Sequence, residues 1–549
     1  MAGPSVIVVG AGAGGIATAA RLAQQGCKVK VIEKQGYVGG RCSLLYHQNH
    51  RFDQGPSLLL MPELFEETFR DLKTSIEQEK VEILKCEPNY CIWFADHETV
   101  ELSSDLARLK SEVERYEGPG HFSQLCAFLA ESGENYELSL EHVLHKDYPS
   151  ALSTLSLLRP DVLWALLRMR PWTSVYGRVS KYFQTERMRR VWTFSSMYMG
   201  MSPYRAPGTY SLLQYSETVH GIGYPRGGFQ AVLQAIADIG ERYGVQYRLN
   251  NAVESVILSD DNKIAKGVRL ASGEELYADL VILNADLVYS YNELLPRSRY
   301  ANALKRRSTS CSSISFFWAF DEILPQLRAH NIFLAEEYRE SFDSIFDDHT
   351  LPAEPSFYVN VPSRVDSTAA PGGKETVVVL VPIGHLTSNE AHYDAQAWKT
   401  VVSKTRDFVL NAIESRTGLK DLRSKIVFEK YETPLTWESK YNLDRGAILG
   451  LSHSFLNVLM FRPKNKHPSI GNLYFVGAST HPGTGVPVCL AGAKLVAEKV
   501  MKAYENRGSD GTVLRFGTLF AITSMLLALV SVIFSWADMN IWGKDMIFA

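Results

Sequence analysis

The chain opens on an unbroken apolar run, Val6–Val9, which passes through a cluster of glycines into IATAARLAQQG, where small apolar residues recur until Gly26. This pattern predicts a buried strand, a tight turn and a helix that ends at that glycine. KVKVIE follows as a second strand, so strand, helix and strand form a right-handed unit that starts a parallel sheet. From Val253 to Asp286 apolar and polar residues alternate, with turn signals at Asp260–Asn262 and Ser272–Gly273, which predicts a β-meander returning to a buried strand over Leu280–Leu283. A last short strand in NLYFVGA, Asn472–Ala478, precedes a Gly/Pro-rich loop and the helical run LAGAKLVAEKVMKAY. Between these lie two stretches richer in aromatic residues and methionine.

The first glycine cluster carries chemistry. Gly10, Gly12 and Gly15 fit GxGxxG, with Gly14 between them, immediately after a strand and at the mouth of a helix. In that context Gly10 permits the turn, Gly12 admits a pyrophosphate to the backbone, and Gly15 brings helix and strand together. The phosphates then meet unpaired N–H groups and the positive end of the helix dipole. Glu33 closes the second strand, placed to accept hydrogen bonds from ribose hydroxyls. By itself this fingerprint serves FAD or NAD. Further on, Gly39 and Gly40 allow a second close approach to phosphate, and Arg41 can pair with it through charge-assisted bonds. At the other end, Gly477, Gly483, Gly485, Val486 and Pro487 lie in a loop that can carry backbone amides to a ring, with Pro487 a good first helical residue. The positive end of that helix would stabilise a reduced flavin. His481, in the same loop, is read as structural before catalytic.

These motifs, in this order, resemble the carotenoid desaturase family, the phytoene-desaturase-like flavoproteins of bacteria and fungi, and most nearly the fungal branch. The matching stretches include VIVVGAGAGGIATAARLA, EKQGYVGGRCS, RFDQGPS, MYMGMSPYRAPGTYSLLQY, GIGYPRGGFQ, NADLVY and FVGASTHPGTGVPVCLAGAK, and they span nearly all of the chain before Tyr504. The resemblance implies an α/β fold, with a Rossmann-like FAD-binding domain of the glutathione-reductase and amine-oxidase type interleaved with an α+β substrate domain. It assigns 1–75, 221–307 and 442–505 to the FAD-binding domain and 76–220 and 308–441 to the substrate and membrane-association domain. It adds Gly55, Pro56, Ser57, Val253 and Asn284 to the cofactor contacts. Ala478 stands where many relatives in the wider group carry an acidic residue, so no carboxylate reaches the ribityl chain there.

The implied activity is stepwise desaturation of phytoene to neurosporene, lycopene or 3,4-didehydrolycopene, by hydride transfer to the flavin and loss of a proton from the adjacent carbon. No motif names a base. A hydrocarbon substrate has no polar handle and must be bound by apolar contact. Met197, Tyr198, Met199, Met201, Tyr204, Tyr210, Leu212, Leu213 and Tyr215 could line such a tunnel or simply pack a core. Trp164, Leu166, Leu167, Met169 and Trp172 could dip into a bilayer surface or form a buried helix. Another flavin-dependent saturase or oxidase of an isoprenoid or retinoid is the alternative among enzymes, and a non-catalytic isoprenoid carrier the alternative outside them.

Composition narrows the partners. Over 549 residues the net charge is −3, with both signs scattered, so no polyanion footprint is present and nucleic acid is not an expected partner. The seven cysteines show no CxxC pair and no metal-ligand spacing, consistent with reduced thiols and no metal site. The N-terminus lacks a signal peptide, so the mature protein is expected to begin near Met1. Phe516–Trp536 holds 21 residues without a charge, a helix of about 30 Å that matches a bilayer core. Lys502, Arg507 and Arg515 precede it, whereas Asp538, Lys544 and Asp545 follow, which leaves the catalytic part facing the cytoplasm as a tail-anchored protein, with the endoplasmic reticulum the expected membrane. Expected partners are therefore the carotenoid hydrocarbon and membrane lipid; an oligomer stays open.

Overall fold

In the computed structural model residues 3–147, 160–389 and 393–505 are described. Residues 1–499 pack as one compact unit, and the chain from Val500 makes a second. The segment 516–536 lies outside the described residues. Among the described residues no helix is long and apolar enough to cross a membrane.

The sheet that starts the chain has five strands in the order Leu473–Phe475, Leu280–Leu283, Ser5–Val9, Lys28–Ile32 and Gln246–Arg248, all parallel. Strands far apart in sequence thus meet side by side, and the buried run Val6–Val9 sits in the middle because both of its faces are covered. Helix Ala13–Gln24 lies against helix Gln230–Arg242. It can approach its strand only because Gly15 lacks a side chain: a Cβ there would stand 2.1 Å from the Gly10 carbonyl oxygen. The meander is present as strands Val253–Leu258, Ala265–Leu270 and Glu275–Tyr277, paired antiparallel.

A second sheet has seven strands, in the order Ile426–Glu432, Ser312–Phe320, Glu375–Ile383, Phe357–Asn360, His330–Phe333, Tyr90–Trp93 and Thr99–Leu102. All its pairs are antiparallel except that of His330–Phe333 with Tyr90–Trp93. Ser312–Phe320, SSISFFWAF, is buried at every position, as an interior strand covered on both faces must be. Helices and tight turns between Leu106 and His220 pack beside this sheet around Phe128, Trp192, Phe194 and Tyr338. Buried polar groups tie the layers together. The Asp53 carboxylate accepts from the Tyr224 hydroxyl at 2.6 Å and the Phe229 amide at 2.7 Å, and Arg51 pairs with Asp366 at 2.5 Å.

Candidate active site

The two glycine-rich segments, more than 450 residues apart in sequence, touch. A Cβ on Gly14 would stand 3.1 Å from the Val476 side chain. Asn284 is the brace between them. Its amide donates to the Val476 carbonyl at 2.8 Å, while Cβ atoms placed on Gly12, Gly14 and Gly15 would fall within 3.0 Å of its side chain. Glycine is required there because Asn284 fills the space a side chain would need.

One cavity of about 580 Å³ runs along both segments. Of the expected cofactor contacts, Gly10, Gly12, Gly14, Glu33, Gly39, Gly40, Arg41, Gly55, Pro56, Ser57, Val253, Asn284, Gly477, Gly483, Gly485, Val486 and Pro487 all line it. Gly15 does not; it acts behind the wall, by letting the helix close on the strand. The helix N-terminus at Gly12 has no side-chain cap and no acidic residue in its first turn, so its amides face the cavity uncompensated, as an anion site requires. Glu33 accepts from the Ala11 amide at 2.7 Å and the Gln35 amide at 2.8 Å, which fixes its carboxylate at the end of the second strand. The Gly39 amide donates to the Ala11 carbonyl at 2.8 Å, so the second glycine pair lies directly on the first loop. Arg41 donates to the Ile448 carbonyl, tying this loop to the chain before the last strand. The final helix starts at Val486, with Pro487 in its first turn.

Arg462 holds the far loop in place. Fully buried, it donates to the carbonyls of Thr480 at 3.0 Å, Asn457 at 2.9 Å, Ser452 at 3.2 Å and also of Ala478. Burial lowers its pKa to about 10, so it remains a cation satisfied by carbonyl dipoles. Ala478 thus contributes its backbone to this clamp where a carboxylate was absent.

The histidines sort themselves. His481 does not line the cavity; its ring meets the Lys146 carbonyl at 2.7 Å, and burial lowers its pKa to about 4, which makes it a neutral structural group. His453, which sequence reasoning did not single out, does line the cavity: its Nε2 accepts from the Thr484 amide at 3.1 Å, and burial holds it neutral. It therefore shapes the glycine loop; no local pattern in the sequence marks it. Asp286 also faces the cavity, but its carboxylate caps the turn at Val288 and Tyr289, at 2.9 and 3.1 Å.

The same cavity is lined by Ser139, Val143, Leu144, Leu166, Met169, Phe194, Met197, Tyr198, Met199, Tyr210, Leu212 and Leu213, and no lining residue between Ser139 and Phe229 carries a charge. Six of the nine expected tunnel residues are among them. Met201, Tyr204 and Tyr215 are not. Met201 is buried in the core, the Tyr204 ring packs on Tyr176 at 4.6 Å, and the Tyr215 ring packs on Tyr136 and His220 at 5.5 and 5.2 Å. The helix Pro160–Met169 is likewise divided: Leu166 and Met169 face the cavity, whereas Trp164 and Leu167, with Trp172 just beyond, are 54%, 64% and 49% exposed. The helix thus has one face on the cavity and one exposed face.

Residues 13–501 match the family described as flavin containing amine oxidoreductase. A phytoene desaturase of Fusarium fujikuroi is 55% identical over 512 residues, 91% of this chain and 89% of the relative. One from Neurospora crassa is 54% identical over 511 residues, 91% of this chain and 84% of the relative. Among solved structures, wild-type putrescine oxidase bound to putrescine superposes with a TM-score of 0.58 at 14% identity, covering 91% of this chain and 99% of that one, which speaks for the fold alone. Two glycine segments lining one cavity, the match to the flavin-containing amine oxidoreductase family and identity above one half along nine-tenths of the chain meet in one conclusion: the chain belongs to the phytoene desaturase family of flavin-containing oxidoreductases.

Proposed function

We propose that the protein is an FAD-dependent phytoene desaturase that introduces double bonds stepwise, towards neurosporene, lycopene or 3,4-didehydrolycopene. One observation carries the reading: a single cavity joins a dinucleotide cradle to a wall of Leu, Met, Phe and Tyr side chains without charge. FAD when bound supplies two-electron oxidation by accepting hydride from an allylic carbon. The chain does the rest. The amides at Gly12, with Arg41 beside them, hold the pyrophosphate, Glu33 the ribose, and the loop from Gly477 to Pro487 the ring. Met197, Met199, Tyr210, Leu212 and Leu213 exclude water and bind a hydrocarbon by contact area alone, with methionines that adapt as the polyene stiffens. Residues 1–75, 221–307 and 442–505 hold the cofactor, and 76–220 with 308–441 the substrate.

Such a substrate dissolves in membranes. Segment 516–536, uncharged over 21 residues, anchors the chain in the endoplasmic reticulum membrane with the catalytic part in the cytoplasm. The exposed Trp164, Leu167 and Trp172, close in sequence to cavity-lining Leu166 and Met169, meet the lipid interface where the hydrocarbon enters. The test is expression of the full chain in cells that accumulate phytoene. Coloured carotenes, read from their visible absorption bands, are expected; cells that hold flavin-loaded protein and only colourless phytoene would overturn the proposal.

A further inference from the structure

Desaturation releases a proton into an apolar site, and a buried carboxyl stands within two side chains of the cavity wall. Glu217, 4% exposed, lies in the turn Ser216–His220 that follows the cavity-lining Leu212 and Leu213. The Tyr90 hydroxyl donates to its Oε1 at 3.1 Å. Beside Tyr90 is Tyr198, which lines the cavity; the two ring centroids are 6.5 Å apart and their planes 29° off parallel. The buried Tyr198 hydroxyl has the Tyr90 hydroxyl as its one polar neighbour among the described residues. A carboxyl, a phenol that donates to it and a second phenol beside that one on the cavity wall follow one another. Burying a carboxylate without a paired cation is costly. Among the described residues no lysine or arginine pairs with Glu217.

Resting on the desaturase reading, we propose that Tyr198 and Tyr90 relay the substrate proton to Glu217, with Tyr198 the catalytic residue that touches substrate and Glu217 the terminal acceptor acting through it. The step balances. One hydrogen leaves with the electron pair of its C–H bond as hydride, the two-electron equivalent that a bound flavin would accept. The C–H bond on the neighbouring carbon then breaks, and its electron pair becomes the new C=C bond. That proton binds the Tyr198 oxygen as the Tyr198 proton moves to Tyr90 and the Tyr90 proton to the Glu217 carboxylate.

Burial pushes the Glu217 carboxyl up to about 8, with the Tyr90 hydrogen bond opposing it, so both of its forms are accessible near neutral pH, where a proton acceptor works best. The other groups in reach are not competitors. Burial keeps Tyr90, Tyr198 and Tyr358 protonated, and lowers His330, stacked on Tyr358 and tilted against Tyr90, to about 3. On the turn of Glu217 itself, His220 faces Glu63 at 3.5 Å.

The test is anaerobic single-turnover reduction of the flavin-loaded full chain by phytoene across pH 6 to 9.5. The wild-type rate should rise with pH through about 8, as Glu217 loses its proton. Glu217→Gln should cut the rate about 100-fold, the usual scale of general base catalysis, and flatten the profile. Tyr198→Phe, which keeps the ring and removes only the hydroxyl, should flatten it likewise. A carboxylic acid C=O band in the infrared should titrate near pH 8 in the wild type and be missing in Glu217→Gln, whatever its activity. Wild-type rates and an unchanged pH profile in flavin-loaded Glu217→Gln, or in Tyr198→Phe should the first variant not fold, would overturn the relay. A wild type that phytoene does not reduce at all would instead strike the desaturase reading on which the relay rests.

Discussion

Changing Gly15 to alanine should leave the protein without flavin. The added Cβ would stand 2.1 Å from the Gly10 carbonyl oxygen and 2.8 Å from the Asn284 side chain. The first is backbone in the turn directly after the strand Ser5–Val9, held by the Gly10 amide's bond to the Ile32 carbonyl at 2.8 Å; the second braces the far glycine segment. Overpacking of a well-packed site costs about 1–3 kcal/mol, and a clash with backbone stands at the upper end, which in binding is a loss of about 100-fold. The flavin-to-protein absorbance ratio of the purified variant is the measurement, with circular dichroism to confirm that the chain is folded. A full flavin load and an unchanged melting temperature would mean that helix and strand do not meet where the structure places them.

Met197→Asp should keep the flavin and lose the reaction. Met197 lines the cavity in the stretch where no charged residue does, and an unpaired carboxylate facing a hydrocarbon has no partner to offset its desolvation, a penalty of several kcal/mol. The expected result is a fall in kcat/KM of about 100-fold or more with normal flavin absorbance. Met197→Leu, which conserves volume and polarity, should stay within about tenfold of the wild type. Equal activity in the aspartate variant would place the substrate elsewhere.

How much of this was legible beforehand follows from how local each signal was. The strand, glycine turn and helix from Ser5 to Gln24 could be read because period and turn chemistry lie within two dozen residues. The loop from Gly477 to Pro487 was legible for the same reason, and both glycine-rich walls of the cavity came from such local signals. The tunnel was read only in part. Phe194–Met199 and Gly208–Ser211 form 3₁₀ turns, Leu212–Tyr215 one helical turn and Ser216–His220 a wide turn, so no single period tells which side chains face the cavity. Hence Tyr198 and Tyr210 fell on the cavity and Tyr204 and Tyr215 off it, although all four look alike in sequence. Glu217 was invisible because its meaning depends on Tyr90, 127 residues away. Asn284 was marked as a cofactor contact through resemblance, but its bracing of two distant glycine segments depends on contacts that no local pattern encodes. The strand order of the seven-stranded sheet, which mixes residues 90–102 with 312–432, was out of reach for the same reason.

The claim on which the rest depends is that one flavin, gripped by both glycine segments, lies open to a hydrocarbon in the adjoining apolar cavity. The direct measurement is the visible spectrum of the purified, flavin-loaded full chain mixed without oxygen with phytoene in liposomes. Stoichiometric bleaching of the flavin band, matched by appearance of a more conjugated carotene, is the expected result. A flavin spectrum that stays unchanged in folded protein, with phytoene recovered intact, would contradict it.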